Sequence, residues 1–271
     1  MNDFQKFIDI DKVFQTKNPK LYKWIPAFIL SLIKRVVHQD ELNNIIEKHT
    51  DKYGYEFASA VLYDFGVKTK ITGEENLPKT GRQIIAANHP LGGLDGLVLI
   101  SEIGKQRKDI KFIVNDILLN VKNLKDIFVP VNKHGGNPKE AIKLIDAVYA
   151  SDELVINFPA GLVSRKHKDG IYDLEWQKSF IKKARIHKRD IIPVYIEGLN
   201  SNFFYNLSVL RKSLGIKSNI EMFFLVHEMF KQKGKSIIVN IGNPIPYNLF
   251  DSTKSDNEWA QYVKEKVYLL K

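Results

Sequence analysis

A chain of 271 residues, 44% hydrophobic and 27% charged, is long enough for a large buried core and too apolar for wholesale disorder. It holds no cysteine, which excludes disulfides, zinc–thiolate sites and thiol nucleophiles and suits a reducing compartment. Its 41 Lys and Arg against 31 Asp and Glu leave a net charge of +10, which favours an anionic partner, either an acidic membrane surface or nucleic acid.

The opening residues "MNDFQKFIDIDK" lack the basic start and apolar core of a secretion signal. A helix is expected over residues 18–39, with Asn18 as N-cap and Pro19 at the first helical position. Leu21, Trp24, Ile25, Phe28, Ile29, Leu32, Ile33 and Val36 follow at spacings of three and four, an apolar stripe flanked by Lys20, Lys23, Lys34 and Arg35. Pro26 should kink this helix or shift its start. The apolar run is far short of the ~20 residues of a membrane span. The helix therefore either lies flat in a lipid interface or packs on its own domain. A second helix is expected over 40–65, with Leu42, Ile45, Ile46, Tyr53, Phe57 and Val61 inward and Gly66 as its stop. This amphipathic pair makes residues 1–70 an N-terminal helical region and a candidate membrane-docking unit.

Beyond it, residues 71–271 alternate short apolar runs with helical segments. Strands are expected at 83–88, 111–115, 127–132, 154–158, 191–198 and 236–242, and helices over 96–106, 138–150 and 176–188 with another at the C-terminus. Continuous apolar strands separated by helices imply an α/β fold, a mostly parallel central sheet flanked by helices. In such sheets functional groups gather where strands end and helices begin.

One such junction is "AANHPLGGLDG", residues 86–96. Pro90 restricts His89 to an extended conformation at the carboxyl end of a strand. Gly92 and Gly93 permit a tight reversal, and Asp95 stands at an N-cap position for the next helix. A strand–turn–helix of this kind brings the Asp95 carboxylate onto one imidazole nitrogen of His89, the layout of a general base held in one tautomer. "VPVNKHGG" and "NFPAGLVSRK" also end apolar strands, placing Lys133 on one loop and Gly161, Ser164, Arg165 and Lys166 on another at the same carboxyl edge. A His–Asp pair facing two cationic loops suits transfer of a group onto an anionic acceptor. Much of the basic excess lies in residues 165–189, where Asp173 and Glu175 offer carboxylates that could hold an amino group. There is no Gly-x-Ser-x-Gly elbow, His-Glu-x-x-His pair or phosphate-binding Gly-rich loop ending in Lys-Ser/Thr, and the other histidines lack metal-ligand spacing. Nucleic-acid-binding signatures are absent too, so a non-catalytic basic module for lipid or nucleic acid is the alternative reading.

"NHPLGGLD", "VPVNK", "FPAGLVSR" and "IIPVYIEG", in this order, resemble the four blocks of the lysophospholipid (acylglycerol-phosphate) acyltransferase superfamily over residues 70–245. "FPAGLVSR" and the following "GIYDLEW" resemble its hemolysin-like branch, which includes lyso-aminolipid O-acyltransferases. The resemblance implies that His89 deprotonates an acceptor hydroxyl as it attacks an acyl thioester, with Asp95 orienting the imidazole. Lys133, Gly161, Ser164, Arg165 and Lys166 fall in its substrate-binding blocks. No cofactor is implied; acyl carrier protein or coenzyme A carries the acyl group, and a lysolipid accepts it. The expected partner surface is an anionic membrane, with the protein peripheral on the cytoplasmic face of the cell membrane and no nucleic acid bound. Three positions depart from the pattern: five residues rather than four separate His89 from Asp95, Ala160 replaces a glutamate, and Arg165 follows Gly161 by four residues rather than two. The last two argue against lysophosphatidate as acceptor.

Overall fold

The computed structural model describes residues 7–131 and 138–271. Five helices come first: α1 (Ile10–Lys17), α2 (Pro19–Trp24), α3 (Ala27–Val36), α4 (Gln39–Lys48) and α5 (Gly54–Asp64). Pro19 opens α2, where its fixed φ and missing N–H are at no disadvantage. The helix expected over 18–39 is divided, because Pro26 has no N–H for the preceding turn and becomes the N-cap of α3. The helix expected over 40–65 is divided as well. Residues 49–53 leave it, and the carbonyls of His49 and Lys52 both accept from the Asn123 amide. A side chain 71 or more positions away thus fixes the break, and local periodicity carries no trace of it. Among the described residues no helix is long and apolar enough to cross a membrane.

The α/β part follows in chain order as β1 (Lys68–Thr72), β2 (Gln83–Ala87), α6 (Gly93–Ile103), β3 (Ile110–Val114), β4 (Phe128–Pro130), α7 (Pro138–Ala150) and β5 (Leu154–Asn157). The chain continues through the hairpin β6 (Arg165–Lys166) and β7 (Ile171–Tyr172), α8 (Ser179–His187), β8 (Asp190–Ile196) and α9 (Asn202–Ser213). It closes with α10 (Leu225–Phe230), β9 (Ser236–Ile241) and α11 (Asp256–Tyr268). Seven strands form one sheet in the order β1-β9-β8-β2-β5-β3-β4. All neighbours are parallel except β8 and β9, so β1 and β9 run against the other five. The expected mostly parallel sheet is present. β1 is an addition to it: its "KTKIT" alternates without burying a residue, as suits an edge strand.

Alternate residues serve the two faces of the sheet. Ile85, Ala87, Ile156, Ile192 and Val194 pack in one cluster with α5 and α6, while Ile84, Ala86, Val155 and Ile191 pack in the other with α7, α8 and α11. Ile46 of α4 and Phe57, Ala58 and Val61 of α5 belong to the first cluster. The expected boundary between residues 70 and 71 falls within β1, and α4 and α5 before it share the core of the sheet. α9 and α10 have no counterpart among the expected elements. The buried face of α9 includes Ser208 and Arg211 while Phe203, Val209 and Leu210 are exposed, which blurs the pattern that reveals a helix.

At the amino edge, fully buried Arg189 donates to the carbonyls of Tyr149, Val148, Ser151 and Glu153 at 2.5–3.0 Å. Burial lowers its pKa to about 10. Arg189→Ala would strand these carbonyls, and is expected to cost about 3 kcal/mol of unfolding free energy in urea titrations.

Candidate active site

The carboxyl ends of β2, β3, β4, β5 and β8 share one edge of the sheet. Main-chain pairing of β2 stops at Ala87, and the Asn88 side chain continues it. Its Oδ1 accepts from the Ile196 N–H at 2.6 Å and its Nδ2 donates to the Ile196 carbonyl at 2.9 Å. This clasp sets the position from which the chain turns away, with His89 held extended by Pro90. Asn200, from the loop after β8, donates to the Pro90 carbonyl at 3.0 Å.

Gly92 adopts φ +75°, a conformation that favours glycine, and caps α6. Asp95 is thus the third residue of the helix rather than the expected N-cap, and its side chain reaches back. Its Oδ2 accepts from the Leu91 N–H at 2.8 Å and the Gly92 N–H at 3.0 Å, and lies 2.9 Å from His89 Nδ1. The additional residue between His89 and Asp95 is absorbed in this turn, and the two side chains meet. Burial pushes the Asp95 carboxyl above the usual carboxylate range, while the His89 contact and the Leu91 N–H pull it down.

The imidazole stacks on Phe158, with ring centroids 4.1 Å apart and planes 15° from parallel. Its side chain is 18% exposed, and among the described residues Nε2 has no hydrogen-bond partner. The main chain of His89 is clamped as well. The Ser164 N–H donates to the His89 carbonyl at 2.8 Å, and the His89 N–H donates to Asp173 Oδ1 at 3.2 Å. Ser164 Oγ donates to the same oxygen at 2.6 Å, and Trp176 Nε1 donates to Asp173 Oδ2 at 3.0 Å. Asp173 is wholly buried and engaged, so it offers no carboxylate to an amino group; Glu175 is exposed.

The other expected site residues separate. Gly161, at φ +67°, is exposed beside open space. Ser164 is buried against Asp173. Lys166 is exposed, with Nζ 3.2 Å from Asn206 Oδ1. Arg165 does not form part of a cationic rim: its guanidinium is buried, donating to the Val163 carbonyl at 2.7 Å and to Glu221 Oε1 at 3.0 Å. Arg211 Nε lies 2.9 Å from the other Glu221 oxygen, completing a buried Arg–Glu–Arg triad that ties α9 and the turn after it to this loop. Lys133 lies outside the described residues. Asn88, Phe158 and Glu221 are structural parts of the site to which motif reading gives no role, and Asp173, expected to hold an amino group, holds the His89 N–H, Ser164 and Trp176 instead. Among the described residues, no three His, Asp or Glu side chains are placed to hold a metal ion. An imidazole with one nitrogen on a buried carboxylate and the other unpartnered can take a proton from a hydroxyl and hold the resulting charge.

The family model described as Acyltransferase matches residues 12–271. A protein of Bacteroides thetaiotaomicron named lyso-glycine lipid O-acyltransferase is 46% identical over 264 residues, 97% of this chain and 97% of that one. A protein of the same name from Phocaeicola vulgatus is 44% identical over 264 residues, 97% of this chain and 95% of that one. The crystal structure of the 1-acyl-sn-glycerophosphate (LPA) acyltransferase PlsC from Thermotoga maritima is similar at 18% identity over 78% of each chain, with a TM-score of 0.44.

Asp173→Asn keeps the volume but turns an NH₂ toward groups that already donate. A loss of about 1–3 kcal/mol in unfolding free energy is expected, measured by chemical denaturation.

Proposed function

The chain belongs to the acyltransferase family, and from that premise we propose that it is a lysolipid O-acyltransferase with His89 as general base. The acyl group comes from a thioester of acyl carrier protein or coenzyme A, and the acceptor is a lyso-glycine lipid. The identity of 44–46% to proteins of that name, over nearly the whole of each chain, supports this acceptor. The burial of Arg165 against Glu221 also speaks for an acceptor other than lysophosphatidate, since that guanidinium is not available to a phosphate.

In this reading the acceptor hydroxyl gives its proton to His89 Nε2 as its oxygen bonds to the thioester carbonyl carbon. Asp95 holds Nδ1–H and stabilises the imidazolium. The tetrahedral intermediate then expels the thiolate, which takes the proton from His89 and leaves as free thiol, and the ester remains. No acyl-enzyme is involved. Contacts to substrate are proposed at Gly161 and Lys166, the exposed members of their loop, and at Lys133. Catalysis takes place with the protein peripheral on the cytoplasmic face of the cell membrane, where the apolar stripe of α2 and α3 lies in the lipid interface. Trp24 and Phe28 of that stripe are 85% and 72% exposed. The observation that carries the proposal is the 2.9 Å approach of His89 Nδ1 to the buried Asp95, at the strand edge where open α/β sheets bind ligands.

His89→Ala should lower acyl transfer by about 10²–10⁴-fold with an unchanged circular dichroism spectrum. Undiminished turnover removes His89 from the mechanism. With purified protein, acyl carrier protein and coenzyme A thioesters should be compared on lyso-glycine lipid and lysophosphatidate. The former acceptor is expected to give the ester product, and an equal or faster reaction of lysophosphatidate overturns the assignment.

A further inference from the structure

Residues 18–39 and residues 198–220 each contain no acidic residue. The first supplies α2 and α3. The second supplies α9 and the turn beyond it, which the proposed function leaves without a role. In α9, Phe203, Leu207, Leu210 and Leu214 recur at spacings of four, three and four and form one stripe. Phe204, Tyr205, Ser208 and Arg211 occupy the adjacent face and are buried. Leu210 is 55% exposed and Leu214 is 65% exposed, and Ile216 also reaches the surface. Lys217, in the turn just beyond, is exposed beside Ile216 in sequence.

The two stretches are neighbours in space. The 3-10 turn Ile220–Phe224 packs against both α9 and α3. Phe224 meets Phe203 edge-on with ring centroids 5.0 Å apart, and Phe223 of the same turn is half exposed. On α3, Phe28, Leu32 and Arg35 share the exposed side. An apolar surface bordered by Arg35 and Lys217 is complementary to an anionic leaflet, into which the apolar groups sink while the cations meet headgroups. Nucleic acid would call for cations on the face itself rather than at its margins.

We propose that α9 and the turn over residues 214–217 form a second bilayer contact, continuous with α2 and α3. This rests on the peripheral membrane reading above and adds to it a role for the 198–220 segment. The contact adjoins the site. Glu221 holds Arg165, and Leu225, at the end of the same turn, stands 3.4 Å from where a Cβ on Gly92 would project. A leaflet held at α9 therefore borders the loops that carry His89, and acyl chains can reach them without crossing water.

The test uses the full chain and two double variants at exposed positions, L210E/L214E in α9 and F28E/L32E in α3. Each should melt like the unmodified protein. Binding is measured by co-flotation with phosphatidylcholine vesicles containing phosphatidylglycerol, and with phosphatidylcholine vesicles alone. L210E/L214E is expected to weaken partitioning to the anionic vesicles at least about tenfold, since two leucines no longer enter the interface. Acyl transfer to detergent-dispersed acceptor should stay at the unmodified rate. If the unmodified protein fails to float with anionic vesicles, the membrane reading itself falls. If it floats and L210E/L214E floats equally well, the second contact alone is overturned. Loss of a dimer on sedimentation, with vesicle binding retained, assigns the stripe to a second copy of the chain and likewise overturns it.

Discussion

Three partners converge on Oδ2 of Asp95: the amides of Leu91 and Gly92, and the imidazole of His89. A carboxylate taken wholly out of water is costly, and these contacts offset the cost only while the turn before α6 keeps its shape. The turn in turn needs Gly92 at positive φ and Pro90 holding His89 extended. The geometry of the imidazole is therefore inseparable from the start of α6. Helix, turn and histidine form one rigid unit, anchored to the sheet by the Asn88 clasp on Ile196.

A second carboxylate does comparable work on the other side of the histidine. Asp173 gathers the His89 N–H, the Ser164 hydroxyl and the Trp176 indole, and Ser164 returns its N–H to the His89 carbonyl. The loop leaving β2 holds the ring of His89 through Asp95, and the chain leaving β5 holds its main chain and stacks Phe158 on the ring. Ser164 and Arg165, which the motifs present as ligands for a substrate, are instead engaged within the protein, Ser164 with His89 and Asp173 and Arg165 with Glu221. Pre-positioning of this kind is what general-base chemistry requires, since a misplaced imidazole loses rate even when its partner is intact.

Much of this was legible beforehand. Six of the seven strands of the main sheet carry continuous apolar runs, and a parallel sheet buried on both faces demands such runs. The His89–Asp95 encounter was also readable, because Pro90, the paired glycines and the apolar helix beyond them leave the chain few courses. What could not be read depends on distant partners. The division between α4 and α5 answers to Asn123, and the burial of Arg165 answers to Glu221, 56 positions later. β1 was missed because an edge strand exposed on alternate residues resembles a polar loop, and α9 because its most apolar stripe faces outward.

The triad of Arg165, Glu221 and Arg211 carries a consequence for how this enzyme diversifies. It encloses two cations and one anion, so loss of Glu221 strands both cations in a dry interior, whereas loss of either arginine leaves one ion pair. Glu221 is therefore the member least free to change, and it ties the segment from α9 to its following turn to the loop that carries Arg165. A lineage that exchanged one for a foreign counterpart would have to import both halves, like a key cut together with its lock.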